Sequence, residues 1–246
     1  HRGQGRSGRM LKDPEKGYVA DFDHYVEDLH QFYQEIVQPH SQHKPMLLCH
    51  SMGGAIGALY NIKYPDQFQK IVFGSPMFGI NSPLPNSVAK VVLAIAGGVN
   101  YVFGEESWYF LGQGKMQSEP FPGNVLMQSE QRYQIYLDMA TEYPDTKLGG
   151  VTISWLQAAI AGMEKVADEA PKISTPTLLL QASGDRIVAN SAQYEACEKM
   201  PDCTLKAFPN AEHELFMEAD EHRIPAINAA LAFFESDGAA VLPSSD

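Results

Sequence analysis

The sequence predicts an α/β protein with a mostly parallel sheet and helices on both of its faces. Short apolar runs of strand length alternate with helical stripes along the chain, and alternation of that kind pairs strands in parallel. A third observation is capacity. With 246 residues, 44% apolar and 10% aromatic, the chain can bury enough surface to offset its conformational entropy.

The first element is a helix. Phe22, Tyr25, Val26, Leu29, Phe32, Tyr33 and Ile36 fall on one stripe, Asp21 can cap it, and Pro39 ends it. Pro45 to Cys49 is a short apolar run that passes directly into the small-residue helix Gly53 to Tyr60, closed by Pro65. The order is strand, sharp turn, helix. Ile71 to Phe73 reads as a second strand ending at Gly74-Ser75-Pro76. The pattern resumes with a third strand at Thr177 to Gln181, a helix at Ala192 to Met200, and a fourth strand at Thr204 to Phe208. A last helix carries Ile224, Ile227, Leu231 and Phe234 on one stripe.

Between Gly79 and Ala170 the alternation stops. These residues are too many for a loop and include a helix from Ser154 to Asp168, so they read as a mainly helical insertion. The expected organisation is a first part of the core at 1–78, a helical cap at 79–170 and a second part of the core at 171–246.

Composition excludes several classes. A net charge of −12 argues against nucleic acid, because phosphate binding rests on clustered Lys and Arg. Only the opening, with Arg2, Arg6 and Arg9, is basic. No uninterrupted apolar run is long enough to span a bilayer; the longest candidate, Val88 to Val102, contains Lys90 and Gly97-Gly98. Membrane contact would therefore be peripheral and rest on apolar surface. Three cysteines, an odd count too small for a disulfide framework, point to a reducing compartment.

One constellation carries chemistry. Cys49-His50-Ser51-Met52-Gly53 lies at the strand-to-helix turn and approximates the G-x-S-x-G elbow that exposes a serine in strained geometry. Its steric logic asks for small residues two before and two after the serine: Gly53 meets this, and Cys49 only partly. By itself such a serine could simply cap a helix. Yet Asp185 directly follows the third strand and His213 the fourth, at the strand ends where α/β sheets build their sites. A serine needs a base and the base needs an orienting carboxylate, so Ser51, His213 and Asp185 are the candidate nucleophile, base and acid. The Met52 amide is the candidate oxyanion donor. His1, His24, His30, His40, His43 and His222 compete poorly, and His50 reads as structural. No residue set has metal-ligand spacing, and no cofactor is expected.

The segment His1 to Gly8, lacking only an initial Asp, resembles the D-x-R-G-x-G-x-S loop of monoacylglycerol-lipase-like α/β-hydrolases. HRGQGRSGRML, FDHYVEDLHQF, HSMGGAI, SPMFGI, PFPGNVL, SEQRY and GGVTISWLQAAIAG further resemble the bacterial PldB-type lysophospholipases, over nearly the whole chain. The resemblance implies an α/β-hydrolase core with a cap, acting on the single fatty acyl ester of a lysophospholipid. Monoacylglycerols or other esters are alternative substrates, and a non-catalytic lipid- or partner-binding protein on the same scaffold is the alternative of another class. Trp108, Phe110, Phe121 and Met127 are candidates to line an acyl channel, or equally to pack the cap. The family's first strands and first oxyanion loop are expected upstream of His1, with any targeting segment. The expected location is cytoplasmic, with room for contact at the inner membrane. Oligomeric state is not readable.

Overall fold

The computed structural model describes residues 1–82, 86–117 and 119–236. The parts of the expected segments 79–170 and 171–246 that fall at 83–85, 118 and 237–246 lie outside the described residues.

Helix α1 (Asp23–Phe32) starts where Asp21 Oδ1 accepts from the Asp23 amide at 2.8 Å. It widens into a π-helical turn, Tyr33–Val37, and continues as the short α2 (Gln38–His40). Pro39 therefore sits inside the last turn. The expected stop comes one residue later, because the widened turn has already displaced the i to i−4 ladder that a proline would interrupt. Phe32 and Ile36, placed on the buried stripe by periodicity, are 53% and 51% exposed.

Among the described residues four strands follow in the order of the chain, all parallel: β1 (Leu47–His50), β2 (Ile71–Gly74), β3 (Thr177–Ala182) and β4 (Cys203–Phe208). Their registers align Leu47 with Ile71, Ile71 with Thr177 and Thr177 with Cys203, so all four strands end on one rim. Residue parity divides the core. Ile71, Phe73 and Leu179 face a large cluster built with α1, α3 (Met52–Lys63), α6 (Ile153–Glu169) and α7 (Asn190–Lys199). Val72, Leu178, Leu180 and Ala182 face a smaller one capped by α8 (Asp220–Glu235). Fully burying a side chain such as Phe73 contributes about 1.5–3 kcal/mol.

Helix α3 is buried without a break from Gly54 to Asn61. It is wedged between the sheet and the layer of α1 and α6, so it is apolar all round. Between β2 and β3 come α4 (Asn86–Phe103), α5 (Glu130–Glu142) and α6. Of these, α6 puts Trp155, Ala159, Met163 and Val166 into the large cluster. The expected insertion thus does not stand apart as a whole, since its last helix is part of the layer that covers the sheet.

Two further expectations are corrected. The last helix exists, but Ile224 and Leu231 are about half exposed, and its buried face is Ala226 and Ala230 with Phe233 and Phe234 alongside. Small residues bring α8 close to the sheet, and a stripe drawn through the largest apolar side chains misses that. Cys197 and Cys203 form a disulfide across the α7–β4 turn, with Cα atoms 5.4 Å apart. A count of cysteines cannot see that one tight turn brings two together, and a single local staple needs no framework. The argument for a reducing compartment falls with it. Cys49 is free and buried, and burial pushes its thiol up to about 12, which leaves it a packing residue.

Candidate active site

Ser51 connects β1 to α3 with φ 50° and ψ −122°, a conformation that a non-glycine residue adopts only under tertiary constraint. Its amide donates to the Gly74 carbonyl at 3.1 Å, and its carbonyl accepts from Gly54 at 2.8 Å and Met77 at 2.9 Å. Pinned on three sides, the residue holds its side chain out at the rim of the sheet. The hydroxyl makes no helix-capping bond. It donates instead to Nε2 of His213 at 2.8 Å.

The steric basis of the elbow lies one residue beyond the expected position. A Cβ on Gly53 would meet nothing within 4 Å, whereas one on Gly54 would come 2.5 Å from the Pro76 side chain and one on Gly57 2.6 Å from the Cys49 sulfur. Gly54 and Gly57 are the residues that let helix and sheet approach. Gly57 also supplies the hollow that Cys49 fills.

Asp185 follows β3 and His213 follows β4, so the parallel register delivers both to the rim where β1 ends. Asp185, its side chain fully buried, accepts from the Ile187 and Val188 amides at 2.8 and 3.0 Å through Oδ1. Its Oδ2 accepts from Nδ1 of His213 at 2.7 Å. This network puts the imidazole proton on Nδ1 and leaves the Nε2 lone pair facing the serine. The Met52 amide lies at the first position of α3, where the helix supplies no acceptor of its own. The positive end of the helix dipole is at the same place.

Several residues hold this geometry, and apart from His50, expected to be structural, they were not singled out in the sequence. His50 Nε2 donates to the backbone carbonyl of His213 at 3.0 Å and so ties the base's loop to the serine's strand. Glu218 is completely buried, and its carboxylate accepts from the amides of Glu212 and Gln128 at 2.9 Å each and of Ala219 at 2.5 Å. Glu214 N donates to the Leu126 carbonyl, Arg186 bridges the Asn124 carbonyl and Glu212, and Arg132 bonds the Glu218 carbonyl and Asp220. The loop that carries His213 is thereby fastened to residues 124–132. A glutamate in mid-loop reads as solvated; an apolar run around it (Leu215, Phe216, Met217) was the only signal that it turns inward.

The four expected channel residues fall into two places. Met127, 3% exposed, belongs to the segment fastened to the His213 loop, and Phe121, tilted against Tyr133, lies just before it. Trp108 and Phe110 are tied to the start of α6, through Ile153 N to the Trp108 carbonyl and Phe110 N to the Val151 carbonyl. A concavity of about 440 Å³ at Arg2, Met10, Asp28, Phe32 and Ile36 lies away from Ser51 and His213.

A parallel sheet with a serine elbow after one strand, and an acid and a base after two later ones, defines the α/β-hydrolase class. Residues 1–220 match the Hydrolase_4 family, described as serine aminopeptidase, S33, and the chain belongs to that family. It is 37% identical to lysophospholipase L2 of Escherichia coli over 247 residues, which is 95% of this chain and 70% of that protein. It is 29% identical to the monoglyceride lipase of Homo sapiens over 223 residues, 90% of this chain and 66% of that one. Among solved structures, a monoacylglycerol lipase from Paleococcus ferrophilus superposes with a TM-score of 0.69 at 19% identity, covering 95% of this chain and 80% of that one. The chain is thus a member of the group of lysophospholipase- and monoglyceride-lipase-like serine hydrolases.

Proposed function

We propose that Ser51, His213 and Asp185 form a catalytic triad that hydrolyses the fatty acyl ester of a lysophospholipid. The observation that carries the proposal is the continuous relay from Ser51 Oγ to His213 Nε2 and from His213 Nδ1 to Asp185, on a serine held in strained backbone. Ser51 Oγ attacks the ester carbonyl as its proton passes to His213 Nε2. The oxyanion forms against the Met52 amide, and collapse releases the glycerophospho-alcohol with the proton from His213. Water then repeats the sequence on the acyl-serine, releasing the fatty acid. Asp185 holds the ring and offsets the imidazolium charge throughout. The likeness to lysophospholipase L2 supports the lysophospholipid over a monoacylglycerol as substrate.

Fatty acid release from lysophosphatidylcholine and from monoacylglycerol, with wild type and Ser51→Ala, tests both parts. The variant should lose about 10⁴ to 10⁶ in kcat. Full turnover without Ser51 refutes the triad, and a preference for monoacylglycerol replaces the substrate. A wild-type chain that neither turns over an ester nor reacts with a fluorophosphonate would be a binding protein on a hydrolase scaffold.

Contact with a lipid surface is part of the same reading. Val91, Ile95, Val102 and Phe103 are 59 to 76% exposed along α4. The helix carries no acidic residue, and its single base, Lys90, is paired with Glu164. Among the described residues no helix is long and apolar enough to cross a membrane. The contact we propose is therefore lateral, with α4 lying against the acyl layer from which the substrate is drawn.

A further inference from the structure

We infer that His213, His50 and Glu214 form a binding site for zinc, and that zinc bound there switches the triad off. One ligand atom from each of the three lies within 4.8 Å of the other two. Sequence spacing conceals the set, since His50 precedes the serine and the other two residues follow β4; only the sheet register brings them together.

Each histidine is prepared as a neutral ligand. His213 gives its Nδ1 proton to Asp185 and presents a lone pair on Nε2. His50 gives its Nε2 proton to the His213 carbonyl, which leaves the lone pair on Nδ1, 3.8 Å from Glu214 Oε2. Imidazoles that bind zinc commonly donate their second N–H to a carboxylate or a backbone carbonyl, and these two do one each. Two imidazole nitrogens and a carboxylate oxygen form a donor set that suits zinc. Bonds of about 2.0–2.2 Å require the three atoms to draw in by roughly 1 Å. His50 is held by its bond to the His213 carbonyl, so most of that adjustment falls to the Glu214 side chain, which is 31% exposed.

The consequence is competitive. The lone pair that zinc takes on His213 Nε2 is the one that accepts the serine proton, so the proton stays on Ser51 Oγ and no nucleophile forms. Zinc here is an inhibitor and takes no part in hydrolysis. The inhibition arm rests on the proposed triad; the binding arm does not, and can be read in a protein that cannot turn over.

The experiment uses the whole chain in metal-free buffer. Calorimetric titration of Ser51→Ala with zinc sulfate should find one site, because removing the hydroxyl leaves the Nε2 lone pair without a competitor. In the wild type, zinc should abolish ester hydrolysis and a chelator should restore it. Glu214→Gln, which keeps the backbone bond of residue 214 to the Leu126 carbonyl, should weaken zinc binding and inhibition on the order of tenfold or more. His50→Gln keeps a side-chain donor for the His213 carbonyl and removes the ligand nitrogen, so it should weaken zinc in the same way. Absence of binding to Ser51→Ala, or zinc affinity unchanged in both Glu214→Gln and His50→Gln, overturns the site. A chain that binds zinc and never hydrolyses an ester keeps the site and fails the triad.

Discussion

Among the described residues the Glu218 carboxylate has no ion pair, and its burial is offset by three backbone amides. A carboxylate is all acceptor. Glutamine has nearly the same shape but turns an NH2 group toward one of those amides, leaving a buried donor unsatisfied. The loop from Glu212 to Ala219 would then shift against residues 124–132, and His213 with it. Glu218→Gln should therefore lower kcat by about 10- to 100-fold, the scale of a misplacement near 1 Å, with KM little changed. Titrating active serines with a fluorophosphonate separates this from simple unfolding, which would lower the titratable fraction and leave kcat per titrated serine unchanged. At this scale the sequence was legible where position and chemistry coincide: Ser51, Asp185 and His213 each follow a strand, in an order that a hydrolase requires. It was not legible for Glu218, whose value comes from three amides supplied by separate turns. Gly53 and Gly54 were confused for a related reason, since which glycine lies against the sheet depends on how α3 is rotated.

β2 and β3 were read to within one residue because apolar runs buried on both faces leave a continuous signal, and the more exposed β1 and β4 were read to within two from apolar runs bounded by turn residues. Elements covered by small residues or altered locally were read less well. The buried face of α8 is Ala226 and Ala230, and the π-turn at Tyr33–Val37 rotates Ile36 away from the core. The disulfide between Cys197 and Cys203 staples the end of α7 to the start of β4. Closing so short a loop restricts the unfolded chain by only about 2 kcal/mol. Reduction should therefore lower Tm by roughly 4–8 °C in a chain of this size, and a thermal melt with and without reductant measures it. An unchanged Tm would mean that α7 is held by its packing alone, through Ala196, Cys197 and Met200.

At the scale of the molecule, α4 sets an exposed apolar face on an acidic chain. A chain of net charge −12 exposes a long acid-free apolar helix, and repulsion from anionic headgroups elsewhere on the surface would oppose its approach to them. Ile95→Glu with Val102→Glu should reduce sedimentation with phosphatidylcholine vesicles several-fold and slow hydrolysis of vesicle-borne substrate, while a short soluble ester is cleaved at the wild-type rate. Equal loss on both substrates would place α4 in folding instead. The α/β class and the parallel pairing of the strands were legible at this scale from alternation alone. The inclusion of α6 in the layer over the sheet was not, because nothing in an amphipathic stripe says which neighbour it meets.

The Cys49 sulfur resting in the hollow of Gly57 ties two positions into one inherited unit. Neither can change freely: a side chain at 57 has no room while the sulfur is there, and a glycine at 49 would leave a void beneath the nucleophile. Drift at this elbow must therefore be paired, with the strand residue shrinking before or as the helix residue grows.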